Sequence, residues 1–139
     1  MKPKISPEEY REILESITLD TLYLTNLRSK LEEDYLSKAL DLDISEKFSF
    51  EQDKNSLNIL YRYKLTAQDK KMEKPALTIQ ADYSVKYDIH GEVTISKEFI
   101  KIFTDLTLSM LLWTYFRELV NNMVYRMGMP PLVLPMKRR

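Results

Sequence analysis

The chain has one histidine in 139 residues, His90, so a metal cluster or nucleophilic triad using imidazole would rest on that side chain alone. It stands beside Gly91 at the end of an alternating apolar run, with no nucleophile or second ligand at a recognisable spacing, and reads as a structural or solvated residue. Cysteine is absent. That excludes disulfides, thiol catalysis and cysteine-ligated metal, and fits a reducing, cytoplasmic compartment. Carboxylates are numerous, but Glu8-Glu9, Glu32-Glu33-Asp34 and Asp41/Asp43 fall in loops or on wet faces. General acid and base work needs acids that converge in a cleft and push each other's pKa apart. Gly91 and Gly128 are the only glycines, too few and too far apart for a phosphate-cradling loop. The expectation is therefore a chain with no catalytic residues, no metal and no cofactor, that is, not an enzyme.

The sequence is rich instead in soft apolar surface. Of seven methionines, four lie between Met110 and Met129 and a fifth is Met136, and there are nine tyrosines. Flexible methionines fill cores, and they also line surfaces that accept many apolar partners. With 21 basic and 21 acidic residues the net charge is zero, and the signs are interspersed apart from Lys137, Arg138 and Arg139, which argues against a nucleic-acid groove. The start of the chain lacks the apolar core of a signal peptide. The longest uncharged run, Leu106 to Phe116, is much shorter than the ~20 residues needed to span a bilayer, so membrane insertion is not expected.

The elements that must hold these residues follow from periodicity. Ser6-Pro7-Glu8-Glu9 combines an N-cap serine, a proline at the first helical position and a glutamate at the third, which predicts a short helix over Pro7 to Glu15. Ile17 to Leu27 reads as a first strand with a bulge at Asp20-Thr21, where the apolar phase changes. Strict alternation then marks three more strands: Leu40, Leu42, Ile44, Phe48 and Phe50; Leu57 to Ala67; and Leu77 to Ile89. Each has one dry and one wet face, and short polar connections join them as a meander. Arg28 to Lys38 must cross over between the first and second strands, bringing Leu31, Tyr35 and Leu36 with it. After His90-Gly91 the period becomes helical. Ser96 caps a helix with Phe99, Ile102, Phe103 and Leu106 on one face, continuing through a bend to Met127, where Gly128 and Pro130-Pro131 stop it. Leu112, Phe116, Leu119, Val120, Met123 and Met127, widened by Trp113 and Val124, make most of that helix apolar. A helix apolar around so much of its circumference needs cover on more than one side. The fold class is α+β: a four-stranded antiparallel sheet, a meander plus a crossover from strand one, covered on one face by a long C-terminal helix. A single domain over residues 1–139 is expected, with 1–13 as an N-terminal extension or short helix and 136–139 as a basic tail.

This order of elements, together with the run Leu112-Trp113-Thr114-Tyr115-Phe116-Arg117-Glu118 and the exit Met123-Val124-Tyr125-Arg126-Met127-Gly128-Met129-Pro130-Pro131-Leu132-Val133-Leu134-Pro135, resembles the SecB family of protein-export chaperones. Tyr87-Asp88-Ile89 resembles the end of that family's fourth strand and Leu22-Tyr23-Leu24 its first. The resemblance spans Leu14 to Pro135, and its specific part is C-terminal. It implies a dimer of dimers in which first strands pair and helices are sandwiched between sheets, with no nucleotide hydrolysis. It also implies long apolar grooves for unfolded polypeptide clients, roofed by the crossover and walled by the helix. Carried onto this chain, the client groove would use Leu31, Tyr35, Leu36, Leu42, Ile44, Trp113, Phe116 and Met123. The oligomer interface of the homotetramer would use Ile17, Leu19, Leu22, Leu24, Leu112, Leu119 and Val120. Members that serve the export motor ATPase present an acidic sheet face and can carry a zinc-binding tail. Here Thr21 and Thr25 stand where acids would be expected, although Asp20, Asp41 and Asp43 are nearby, residues such as Ser84 replace glycines near the end of the fourth strand, and cysteine is lacking. Those departures put motor docking in doubt and leave open both export and the protection of an antitoxin in a toxin-antitoxin system. From the residues alone, a small-molecule or enzymatic helix-on-sheet domain with Tyr61, Tyr83 and His90 around a pocket remains a rival, as does a purely structural oligomer.

Overall fold

A computed structural model describes residues 5–130 together with Leu132 and Leu134. Helix α1 (Pro7–Ser16) leads into β1 (Ile17–Leu31). A 3-10 turn at Glu33–Tyr35 precedes β2 (Asp41–Gln52), β3 (Ser56–Gln68) and β4 (Leu77–Ile89), and a helical rod then closes the chain. The four strands form one antiparallel sheet in the order β1-β4-β3-β2, so β2, β3 and β4 are the meander and β1 joins its far side. The α+β expectation is met, and β1 and β2 are the two edges. As predicted, Ser6 Oγ accepts from the Glu9 backbone N–H at 3.1 Å to start α1. At the β2–β3 turn, Asp53 Oδ1 accepts from the Asn55 and Ser56 N–H groups at 2.8 Å each, which fixes the hairpin register.

β1 shows how sequence phase becomes a face. Its register against β4 shifts between Leu19 and Thr21 and again between Leu24 and Asn26. Each bulge adds one residue without a partner, so Ile17, Leu19, Leu22, Leu24, Leu27 and Leu31 all point to the face carrying Ile89, Tyr87, Val85, Tyr83, Ala81 and Leu77. The strand also runs four residues past the predicted end at Leu27, because Leu31 pairs with Leu77 and completes the last row of the sheet. The crossover is correspondingly shorter than expected, from Glu32 to Leu40, and the Glu32 N–H donates to the Ala76 carbonyl at 2.7 Å.

The core lies between the central strands and the rod. Leu57, Ile59, Tyr63 and Leu65 of β3 and Ile79, Ala81 and Val85 of β4 are buried, whereas the edge strands are largely exposed. Ala81 pairs with Tyr63 in β3. The Tyr63 ring stacks on Phe116 with centroids 4.6 Å apart, and its hydroxyl donates to the Ser109 carbonyl at 3.1 Å. Burial pushes the Tyr63 phenol far above its ordinary value, and holds Tyr83 and Tyr87 up at about 12.

The predicted bend in the rod is a π turn. Helix α2 (Lys97–Phe103) is capped by Ser96 Oγ, which accepts from the Phe99 N–H. It passes through a π segment at Thr104–Leu108 into α3 (Ser109–Arg126). The wider turn adds a residue to the helical cycle and rotates everything after it. Consequently the buried stripe runs Phe99, Phe103, Leu108, Leu112, Phe116, Val120 and Val124. Leu106, expected beside Phe103, is instead 48 % exposed. Gly128 adopts φ 71° as the left-handed cap. Beyond it the chain turns back along the rod, where Arg117 Nε donates to the Leu134 carbonyl at 3.0 Å and Leu134 is buried. Pro131, Val133 and Pro135 of the exit, and the basic tail 136–139, lie outside the described residues.

Candidate functional site

At the end of the sheet the row Leu31, Leu77, Ala67 and Leu42 crosses all four strands. These side chains floor an open groove of about 710 Å³. Leu36, Ser37, Lys38 and Leu40 of the crossover line one side, and Met127, Met129, Pro130 and Leu132 of the exit line the other. The floor is apolar because every strand contributes an inward position there, and Ala67 is the one small residue in it. The crossover gives little polar counterweight, since Glu33, Ser37 and Lys38 are all exposed. Two methionines on the exit side supply an adaptable wall. Such a groove can bury apolar side chains of varied shape through area rather than directed bonds.

Of the residues predicted for a client groove, Leu31, Leu36 and Leu42 come together in this lining. Leu36 and Leu42 keep 37 % and 43 % of their surface exposed, which leaves apolar area for a ligand to cover. Tyr35 is half-buried in the crossover turn, Ile44 and Met123 pack partly buried against the core, and none of the three lines the groove. Trp113 and Phe116 are buried, at 8 % and 0 % exposure, among Tyr63 and each other. The lining that sequence reasoning missed is Leu40, Ala67, Leu77, Met127, Met129 and Leu132. The exit motif itself was the available signal, because a chain stopped by glycine and proline must turn back over whatever lies beside the helix end.

The predicted oligomer residues divide similarly. Leu19 and Leu24 are exposed at 46 % and 38 %, and Ile17, Leu22 and Leu119 are half-buried. Leu112 and Val120 are fully buried within the chain itself. On the rod the neighbouring Leu111 and Tyr115 are among the apolar side chains that reach solvent, and the Tyr115 ring lies 6.4 Å from Tyr83, the β4 partner of Leu24. The exposed inner face of β1 and this flank of α3 thus border one apolar surface. A second groove, of about 410 Å³, lies between α1 and the rod and is lined by Tyr10, Leu14, Ile102 and Leu106 among others.

His90, Tyr61 and Tyr83 are not brought around one pocket. Tyr61 and Tyr83 are buried facing the rod, while His90 is exposed beyond the end of β4. There its Nε2 is 2.9 Å from Thr18 Oγ1 and its backbone N–H donates to the Ser16 carbonyl at 2.7 Å, an arrangement that ties the α1–β1 junction to β4. Neither groove contains any of the three. On the wet face, Asp82 is buried beneath Arg62, whose Nε and Nη2 reach its carboxylate at 2.7 and 3.1 Å. The Arg62 bond holds the Asp82 carboxyl below its ordinary value.

Among solved structures, a SecB-like chaperone of Mycobacterium tuberculosis, in complex with a ChAD peptide from the HigA1 antitoxin, aligns with a TM-score of 0.78. The alignment covers 95 % of this chain and 98 % of that one, at 16 % identity. The fold is SecB-like. A protein of unknown function from Streptococcus agalactiae aligns at a TM-score of 0.43 and 10 % identity, over 86 % of this chain and 96 % of that one. No protein-family model matches the sequence, and no curated protein matches it. What is shared with the mycobacterial structure is the fold, which in this chain is a four-stranded sheet with its first strand beyond the meander, a crossover at the sheet's end and a long helix across one face.

Proposed function

We propose that this chain is an ATP-independent chaperone, a holdase that keeps non-native polypeptides soluble by burying their apolar segments. The observation that carries the reading is the open 710 Å³ groove, whose apolar floor and methionine wall sit between the crossover and the chain exit. Its fold likeness to a chaperone solved with a bound peptide supports the same reading. Clients would enter by area-driven contact with Leu36, Leu42 and the exit methionines. Tyr35, Ile44 and Met123 would stiffen the groove from behind, and Trp113 and Phe116 would hold the helix against the sheet. The acting species would be a cytoplasmic homotetramer, with Leu19, Leu22 and Leu24 of β1 and Leu119, Leu111 and Tyr115 of α3 facing a second copy.

Between export and antitoxin protection, we read the chain as a stand-alone chaperone. By register its wet face is of mixed sign, with Arg28, Lys47, Arg62 and Lys64 beside Asp41, Asp43, Asp82 and Asp88, which is not the continuous acidic docking face the resemblance implies for motor-dependent members. The peptide in the similar mycobacterial chaperone comes from an antitoxin, and an antitoxin segment is the client this reading expects first. The test is aggregation of a chemically denatured model protein diluted into buffer without nucleotide. Light scattering suppressed in proportion to added chaperone supports the proposal, and an unchanged scattering curve at a twofold excess overturns it. Native mass spectrometry reports the assembly in the same buffer, with tetramer expected and monomer alone contradicting the proposed interface.

A further inference from the structure

We propose that the free edge of β2 receives an extended client segment as a fifth strand, selecting side chains that alternate apolar, apolar, basic, apolar opposite Leu42, Ile44, Glu46 and Phe48. The proposal rests on the chaperone reading and adds the client's conformation and pattern to it. Among the described residues β2 is a terminal strand, so alternate backbone N–H and C=O groups along its outer side have no strand partner there and can serve as a template for pairing. The groove and this edge are continuous, because Leu42 belongs to both. A strand added there would drop its inward side chains beside that groove at one end and beside Phe48, 39 % exposed, at the other.

Glu46 supplies selectivity. It is the only charged residue on the inward parity of β2, opposite Tyr63 in the register, and Oε1 accepts from the Tyr61 hydroxyl at 2.8 Å, which holds the carboxylate on the helix-facing side. Cross-strand neighbours lie about 5 Å apart, so an acid on the client at this position is repelled and a lysine or arginine is attracted. An inward charge on an edge also discourages indiscriminate pairing with fully apolar strands. It fixes the register as well, because a one-residue slip would turn the client's basic residue and its inward apolar residues to the wet face. β1 carries no such inward charge: its inward positions are aliphatic apart from Ser29.

The experiment uses the full chain and a fluorescein-labelled peptide, Ser-Leu-Thr-Leu-Thr-Lys-Thr-Phe-Ser, with anisotropy as the readout. Replacing the lysine by glutamate is expected to weaken binding about three- to tenfold, the range for a single cross-strand attraction turned into a repulsion. The chaperone variant Glu46→Gln, which can still accept from Tyr61, should abolish that discrimination, and Glu46→Lys should reverse it. N-methylation of one alternate set of peptide amides should abolish binding and methylation of the other set should spare it, since only one set faces β2 in a strand. Equal tolerance of both sets, or discrimination unchanged in Glu46→Gln, overturns the proposal while leaving the holdase intact. A peptide that fails to bind a chain still able to suppress aggregation does the same. A fall in assembly mass on peptide addition assigns the edge to a second copy, and also overturns it. Failure of both peptide binding and aggregation suppression removes the chaperone reading itself.

Discussion

Replacing Leu36 and Leu42 together by serine should weaken client binding in addition to costing the fold about 1.8–3.6 kcal/mol for the parts of the two side chains that are already buried. These side chains still expose 37 % and 43 % of their surface, so folding has already gained the larger part of their burial and a client would cover the remainder. Full burial of a leucine is worth about 1.5–3 kcal/mol. Scaled to the exposed fractions, the pair contributes about 1.2–2.4 kcal/mol to the complex, roughly a 7- to 50-fold rise in Kd. The assay is anisotropy of a labelled, permanently unfolded polypeptide titrated with chaperone, with urea denaturation of each variant alongside. The reasoning predicts the rise in Kd with an assembly state unchanged from the parent. A Kd within twofold of the parent would refute it, because it would mean that clients do not cover these two side chains.

The reverse pattern should hold at Phe116, which is fully buried and stacked on Tyr63. Phe116→Ala should cost about 3–5 kcal/mol in urea or guanidinium unfolding, and a loss below about 1 kcal/mol would contradict this packing. Asp82 has its folded pKa depressed by the Arg62 bond, so its stabilisation is present above the unfolded carboxyl value of about 3.9 and is lost as pH falls through the lower folded value. Urea midpoints measured from pH 6 downward should therefore fall more steeply below about pH 4 in the parent than in Asp82→Asn, and parallel curves would count against the ion pair. Tyr83 and Tyr87 titrate at about 12 in the folded chain and Tyr63 higher still, so their contribution is complete below the unfolded value of about 10 and disappears as pH rises through the folded values. Absorbance at 295 nm should show these phenols still protonated at pH 11 in native protein and ionised at the same pH in denaturant. Full ionisation of all nine tyrosines at pH 11 without unfolding would contradict the burial.

The fold was legible wherever one period ran uninterrupted. Alternation located β3 and β4 to within a residue or two, and the serine caps and Gly128 bounded the helices. Where a single extra residue enters, the period breaks and local pattern misleads. The bulge at Asp20 was visible as a change of phase, but the one near Thr25 was not, because Thr25 and Asn26 are polar on either face. The π turn had the same effect on the rod, exposing Leu106 and Met110 and carrying the buried stripe to Leu108 and Leu112. The site was less legible for a related reason. Helical spacing marks Trp113 and Phe116 as apolar without saying which arc meets the sheet, whereas Met129 and Leu132 have no period and reach the groove only because the chain reverses after Gly128. The crossover leucines Leu31 and Leu36, which the resemblance named, do line the groove, since their placement depends on element order rather than on helical phase.

The central claim is that clients bury themselves in the groove between the crossover and the exit. Hydrogen exchange of the full chain, measured with and without a saturating unfolded client, tests it most directly. The account predicts slowed exchange in Glu32–Ile44 and Met127–Leu132, extending along β2 to Phe48 where a client pairs with that edge, with the wet-face residues around Asp82 unchanged. Protection that appears on the wet face or along α1 and leaves those two segments unaltered would contradict it.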